Sequence, residues 1–212
     1  MKQNNSIIET IFGVPVYISE KFNLNKETIN FLKNHEYKHN SLGNRMSTNR
    51  NVLEAKECKV LKQFLQRQLD YYFHEVCDVV DELEIYITES WINMNSQGQM
   101  HDMHIHPNSI ISGVYYFGEK TDCPISYIRP YYDLLFGSAF DLSYKQSNKY
   151  NTISDDFNNL LHKTILSPSK TQHAVPPNES QNTRYSLAYN SFVKGAFGQP
   201  KSANVLYLSS VL

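Results

Sequence analysis

The pattern of apolar and polar positions changes character once along the chain, near residue 83. Between Glu54 and Val80, the residues Leu61, Phe64, Leu65, Leu69, Tyr72 and Val76 recur at helical spacing. That stripe predicts one long helix laid against a sheet. "LNKETINFLKNHEYKH" predicts a shorter helix, with Asn25 as its N-cap. A short side-chain oxygen at that position can accept from an unpaired backbone N–H of the first turn. "IFGVPVYISE" predicts a short edge strand, where the missing N–H of Pro15 does no harm. "SLGNRMSTNRNVLE" is polar and turn-rich, so it predicts loop.

Beyond residue 83 the chain turns to β-formers. "LEIYITESWINM", "SIISGVYYF" and "CPISYIRPYY" each predict a strand. Residues 133–160 are polar and irregular, which predicts a long loop or a lid. The stretch from His162 to Val193 predicts strand, turn, short strand, Pro-Pro turn and a final strand. Helices first and short strands after them predict an α+β chain that is mostly β. Its expected form is an antiparallel sandwich or barrel carrying helices on one side. One domain is expected over 1–212: helical support over 1–83, a β core over 84–193 and a C-terminal extension over 194–212.

Composition narrows the class more than the fold. Apolar residues make up 41%, enough for a packed core. A net charge of −1 argues against tight electrostatic binding to polynucleotides or an anionic membrane. No apolar run approaches the length of about 18 residues that suggests a membrane span. The first twenty residues hold no sustained apolar segment of signal-peptide type. The three cysteines, Cys58, Cys77 and Cys123, are widely spaced and read as free thiols of a reducing compartment. The expected location is cytoplasmic.

The chemistry concentrates in "HDMHIHPNSIISGVYYF", residues 101–117, where three of the chain's eight histidines fall within six residues. In an extended strand, side chains at i and i+2 share a face. His104 and His106 have that relation, so two imidazoles can converge on one ion. A third ligand is expected from His173 in "KTQHAVPP". Nitrogen ligands with open positions suit iron(II) or another first-row divalent ion. Asp102 shares the same parity, so Asp102, His104 and His173 form an alternative set. His101, at i−3 from His104, reads as a neighbour rather than a ligand. His35, His39, His74 and His162 read as surface or hydrogen-bonded residues. Arg184 follows His173 by eleven residues, at the head of the alternating "TRYSLAYNSF". A guanidinium fork binds a carboxylate bidentately, and a hydroxyl two residues on, at Ser186, can donate to the same group. Together they read as a clamp for a dicarboxylate.

"SWINMNSQGQMHDMHIHPNSIISGVYYF" followed by "QHAVPPNESQNTRYSLAYNSF" resembles the 2-oxoglutarate/iron(II) oxygenases found in bacteria and marine phages. The shared pattern is W-x-N, H-x-H-P, S-G-V-Y-Y, H-x-V-x-P and R-x-S, spanning about residues 84–193. The resemblance implies a double-stranded β-helix, a jelly-roll, cupin-like barrel with its N-terminal helices packed outside. It implies Fe(II) held by His104, His106 and His173, and 2-oxoglutarate held by Arg184 and Ser186. Asn93, Ser112 and Tyr116 would face the same cavity. The implied activity is a dioxygenase, a hydroxylase releasing succinate and CO2. His106 stands where the wider superfamily has a carboxylate. Two other readings stay open: a three-histidine cupin-type dioxygenase without 2-oxoglutarate, and a non-enzymatic β-barrel that binds a partner or belongs to a virion. The substrate, whether protein side chain, nucleotide, lipid or small metabolite, is not legible.

Overall fold

The computed structural model describes residues 13–130, 142–198 and 205–209. Tyr17–Ile18 (β1), Tyr37–His39 (β2), Arg45–Ser47 (β3), Leu83–Asn95 (β4), Ile111–Gly118 (β6), Thr164–Pro168 (β9), Arg184–Phe197 (β11) and Leu206–Leu208 (β12) form one sheet. Its order is β1-β9-β6-β11-β4-β3-β2, with β12 added to the far end of β11. His101–His104 (β5), Ile125–Ile128 (β7), Ser154–Phe157 (β8) and His173–Val175 (β10) form a second sheet, ordered β5-β10-β7-β8. Every pairing of named strands is antiparallel, as the turn-rich sequence predicted. The expected edge strand is β1, at the outer end of the large sheet.

Two apolar layers hold the sheets in place. The outer face of the large sheet packs on the helices through Ile85, Ile87, Ile92, Tyr115, Phe117, Leu187 and Tyr189. The long helix runs Lys59–Tyr71 (α2), continues as a wider π turn over Tyr72–Val76, and buries Leu61, Phe64, Leu65 and Leu69. Each such side chain contributes about 1.5–3 kcal/mol before conformational entropy is subtracted. A smaller cluster, Tyr116, Ile125, Tyr127, Leu160 and Ile165, fills the space between the two sheets. A β-bulge decides which residues go where. Asn190 pairs with Glu89 but Ser191 pairs with Ile87, leaving Thr88 as the extra residue. The bulge reverses the alternation of β4. Ile85 and Ile87 before it, and Ile92 after it, therefore all meet the helices, while Trp91 and Asn93 turn inward.

Several expected boundaries are corrected. The first helix stops early, at Lys26–Lys33 (α1), although Asn25 caps it as predicted, its Oδ1 accepting from Thr28 N–H at 2.8 Å. The rest of that stretch becomes β2, and the expected loop "SLGNRMSTNRNVLE" contains β3, because β3 finds a partner in distant β4. Two 3-10 turns, Val52–Glu54 and Lys56–Cys58, occupy the predicted beginning of the long helix. Part of the expected loop or lid is a strand, β8, paired with β7. Residues 133–141 of that segment lie outside the described residues. The three cysteines are free. No helix among the described residues is long and apolar enough to cross a membrane.

Candidate active site

The two sheets close on a narrow cleft, partly open to solvent. The large sheet contributes Trp91 and Asn93 from β4, Val114 and Tyr116 from β6, and Arg184, Ser186 and Ala188 from β11. Register makes this set: Ser186 pairs with Asn93 on one side and Tyr116 on the other, and Ala188 pairs with Trp91 and Val114. The small sheet supplies His101, His104, Ile125, His173 and Val175, and His106 follows just beyond the end of β5.

His104 and His173 are direct cross-strand partners. His106 is tied down by its own backbone, whose N–H donates to the Ser169 carbonyl at 3.0 Å. The ligand nitrogens of His104, His106 and His173 all lie within 4.8 Å of one another. Nδ1 of His104 donates to the Asp102 carbonyl at 2.7 Å, and Nδ1 of His173 to the Thr171 carbonyl at 3.0 Å. Carbonyls only accept, so each Nδ1 carries the proton and each Nε2 presents a lone pair. The Nε2 atoms of His106 and His173 face each other at 3.2 Å. Burial, aided by neighbouring imidazoles, holds His106 down to about 3 and His173 to about 4. Burial lowers His104 as well. The three rings are therefore neutral at physiological pH, the form in which imidazole binds a metal. Metal–imidazole bonds of about 2.0–2.1 Å set two nitrogens roughly 3 Å apart at right angles. The donor set fits a first-row divalent ion.

The alternative ligand Asp102 is exposed and does not join the group. The shared parity of Asp102 with His104 failed at the register shift between β5 and β10. His101 is buried instead, its ring stacked on His104 at 4.2 Å between centroids. A bulge explains this too: His173 pairs with His104 and Val175 with His101, so two steps on β10 match three on β5. His101 is a neighbour of the ligand set, as expected, and burial holds it down to about 3.

Arg184 is only 3% exposed. Nε donates to the Cys123 carbonyl at 3.3 Å, and Nη2 to the Tyr116 hydroxyl at 3.2 Å. Its guanidinium also lies over the Tyr116 ring, 4.9 Å from the centroid. Among the described residues no carboxylate pairs with it. A guanidinium has five N–H donors; three remain for something else. Asn93 lines the cleft, and its Oδ1 accepts from Asn44 Nδ2 at 3.1 Å. Ser186 and Tyr116 line the cleft as expected. Ser112 does not. It shares the inward face of β6, but its hydroxyl is spent on Ser169 at 2.7 Å and on Asn190 Oδ1 at 2.8 Å. Trp91 and His101 were not picked out as cleft residues from the sequence, since only strand register reveals where they point.

The fold is a double-stranded β-helix, with three imidazoles converging in a cleft that the Arg184 guanidinium also lines. Residues 89–190 match the family model described as "Putative 2OG-Fe(II) oxygenase", so the resemblance read from the sequence is borne out on that segment. Fe(II) and 2-oxoglutarate are the cofactors that go with it. No curated protein matches the chain in sequence. Among solved structures, the fold is similar to a 2OG-Fe(II) oxygenase family oxidoreductase from Burkholderia pseudomallei, at 14% identity and a TM-score of 0.53, covering 77% of this chain and 74% of that one. It is also similar to HygX from Streptomyces hygroscopicus, solved with nickel, 2-oxoglutarate and hygromycin B, at 11% identity and a TM-score of 0.53 over 84% and 82% of the two chains. A prolyl hydroxylase from Trichoplax adhaerens, solved with a hypoxia inducible factor peptide fragment, gives 12% identity and a TM-score of 0.52 over 84% and 82%.

Proposed function

We propose that this protein is a 2-oxoglutarate- and Fe(II)-dependent oxygenase that hydroxylates its substrate, with His104, His106 and His173 as metal ligands. The observation that carries the reading is Arg184. A buried cation without an acidic partner is costly; Arg184 has none among the described residues and sits in the same cleft as three neutral imidazoles. A dicarboxylate with one end on the metal and the other on Arg184 would relieve that cost. When bound, Fe(II) and 2-oxoglutarate supply O2 activation coupled to release of succinate and CO2. The chain's own residues do the rest. Arg184 would grip the far carboxylate, with the Tyr116 and Ser186 hydroxyls beside it. Asn93 lines the same cleft. Val114, Ile125, Val175 and Ala188 keep water from the cleft wall, which strengthens the ion pair by lowering the local dielectric.

A three-histidine dioxygenase without 2-oxoglutarate is the rival reading, favoured by the absence of a carboxylate from the ligand group among the described residues. It leaves Arg184 without a role. The test is O2-dependent conversion of 2-oxoglutarate to succinate by Fe(II)-loaded protein, with no prime substrate present. Slow turnover that disappears in His173→Ala supports the proposal. Metal binding without any succinate, and without 2-oxoglutarate binding, favours the rival.

A further inference from the structure

The large sheet ends at β2 and the small sheet at β5, and the turn between β2 and β3, residues 40–44, joins those two edges. Asp102 N–H donates to the Leu42 carbonyl at 2.9 Å. Two asparagines of the same turn reach residues of the cleft wall. Asn40 Nδ2 donates to Asn44 Oδ1 at 2.8 Å and to His101 Nε2 at 3.4 Å. Asn44 Nδ2 donates to Asn93 Oδ1 at 3.1 Å. His101 and Asn93 are both buried, and both line the cleft. Register puts Asn93 beside Ser186, and His101 stacks on the candidate ligand His104.

One backbone group sets the polarity of this chain of bonds. Leu42 N–H can only donate, and it donates to Asn40 Oδ1 at 3.4 Å. The other end of the Asn40 amide, Nδ2, therefore meets Asn44 and His101. His101 Nε2 receives an N–H, so it holds a lone pair and the ring carries its proton on Nδ1. Asn44 receives the other N–H on Oδ1, so its own Nδ2 is the end that reaches Asn93. Asn93 spends Oδ1 and keeps Nδ2. Among the described residues, neither His101 Nδ1 nor Asn93 Nδ2 has a hydrogen-bond partner. One turn thus leaves two buried wall residues with N–H groups to give and no acceptor to offer. Arg184 adds its own unspent donors to the same cleft. Such a wall suits a ligand rich in carboxylate oxygen, which accepts only.

We propose that Asn40 and Asn44 are positioning residues for the cosubstrate, holding His101 and Asn93 as N–H donors to 2-oxoglutarate. The inference rests on the 2-oxoglutarate reading given above.

Asn40→Asp tests it by exchanging a single group. The new carboxylate still accepts from Leu42 N–H, but it cannot donate. His101 must then give it a proton from Nε2, and Asn44 must give it Nδ2–H. Asn44 Oδ1 turns to Asn93, which spends Nδ2 and keeps Oδ1. Both wall residues change from donor to acceptor. The readouts are calorimetric titration of 2-oxoglutarate into Ni(II)-loaded protein, metal content of the same samples, and NMR of the ring nitrogens in metal-free, histidine-labelled protein at about pH 8, with His101 assigned from the resonance lost in His101→Asn. Wild type should carry the His101 proton on Nδ1. Asn40→Asp should move it to Nε2 and weaken 2-oxoglutarate binding about 10- to 150-fold, with metal content unchanged. Ser41→Asp places the same charge on the neighbouring exposed residue without touching the chain of bonds and should stay within about threefold of wild type, since a solvated charge is screened. Asn40→Ala, which cuts both links without adding charge, should fall between the two. A wild-type His101 protonated on Nε2 overturns the inference without recourse to any variant. Equal affinities in Asn40→Asp and Ser41→Asp overturn it, and so does a loss in Asn40→Asp with the His101 proton still on Nδ1, since the turn would then act by charge or shape alone. Wild-type protein that loads Ni(II) and takes up no 2-oxoglutarate overturns the functional reading, and this inference with it.

Discussion

Replacing Arg184 with alanine separates cosubstrate binding from metal binding. The guanidinium is 3% exposed and uses two of its N–H groups, on Cys123 and Tyr116. The remaining three of five donors are those a carboxylate would meet as a fork. Truncating one partner of a buried, hydrogen-bonded charge pair costs about 2–5 kcal/mol. That corresponds to roughly 30- to 5,000-fold in affinity. Tyr116 and Ser186 survive as neutral donors, each worth about 0.5–1.5 kcal/mol, so the lower half of the range is expected. Arg184→Lys keeps the charge but loses the fork and should fall between alanine and wild type. The assay is calorimetric titration of 2-oxoglutarate into anaerobic Fe(II)-loaded protein, with iron content measured on the same samples. Iron content should not change, because Arg184 is outside the ligand group. Metal-free Arg184→Ala should melt no lower than wild type by more than a few degrees, since the substitution also removes a cation with no acidic partner among the described residues. An unchanged 2-oxoglutarate affinity in Arg184→Ala would refute the reasoning.

Alanine at His104, His106 or His173 should each lower bound iron per chain, whereas Asp102→Asn should not; elemental analysis after anaerobic loading distinguishes them. The metal-free protein should lose stability on acidification. His106 and His101 are held down to about 3 and His173 to about 4, so below about 6.5 the unfolded chain takes up protons that the folded chain refuses. That contribution is whole above pH 6.5 and declines as pH falls toward 3; a melting temperature flat from pH 7.5 to 4.5 contradicts it. Gly113→Ala should cost about 1–3 kcal/mol, because a Cβ there collides with the buried ring of Tyr189. A chemical denaturation curve matching wild type would show that the ring can yield.

The long apolar strands and the antiparallel order were legible because their patterns are local. So was the Asn25 cap. The short strands were not. "RMS" in β3 carries no β signal of its own and forms by pairing with residues of β4 nearly fifty positions away. "SDDF" in β8 reads as loop because its acids belong to an exposed sheet edge. Within the site, the His104–His106 pair, His173, Arg184 and Ser186 were visible as spacing. Ser112 was placed in the cleft on parity alone. A bulge brings His101 inside, and a cluster of serines around Asn190 takes the Ser112 hydroxyl out of the cleft.

The most direct measurement is an anaerobic crystal structure with Ni(II), a redox-inert substitute for iron, and 2-oxoglutarate. The account predicts one ion about 2.0–2.1 Å from a nitrogen of each of His104, His106 and His173, chelated by the 2-oxo acid end. It also predicts the far carboxylate on the Arg184 fork, within hydrogen-bond distance of Ser186 or Tyr116. An ion bound by Asp102 or His101 in place of His106, or a 2-oxoglutarate that leaves Arg184 untouched, would contradict it.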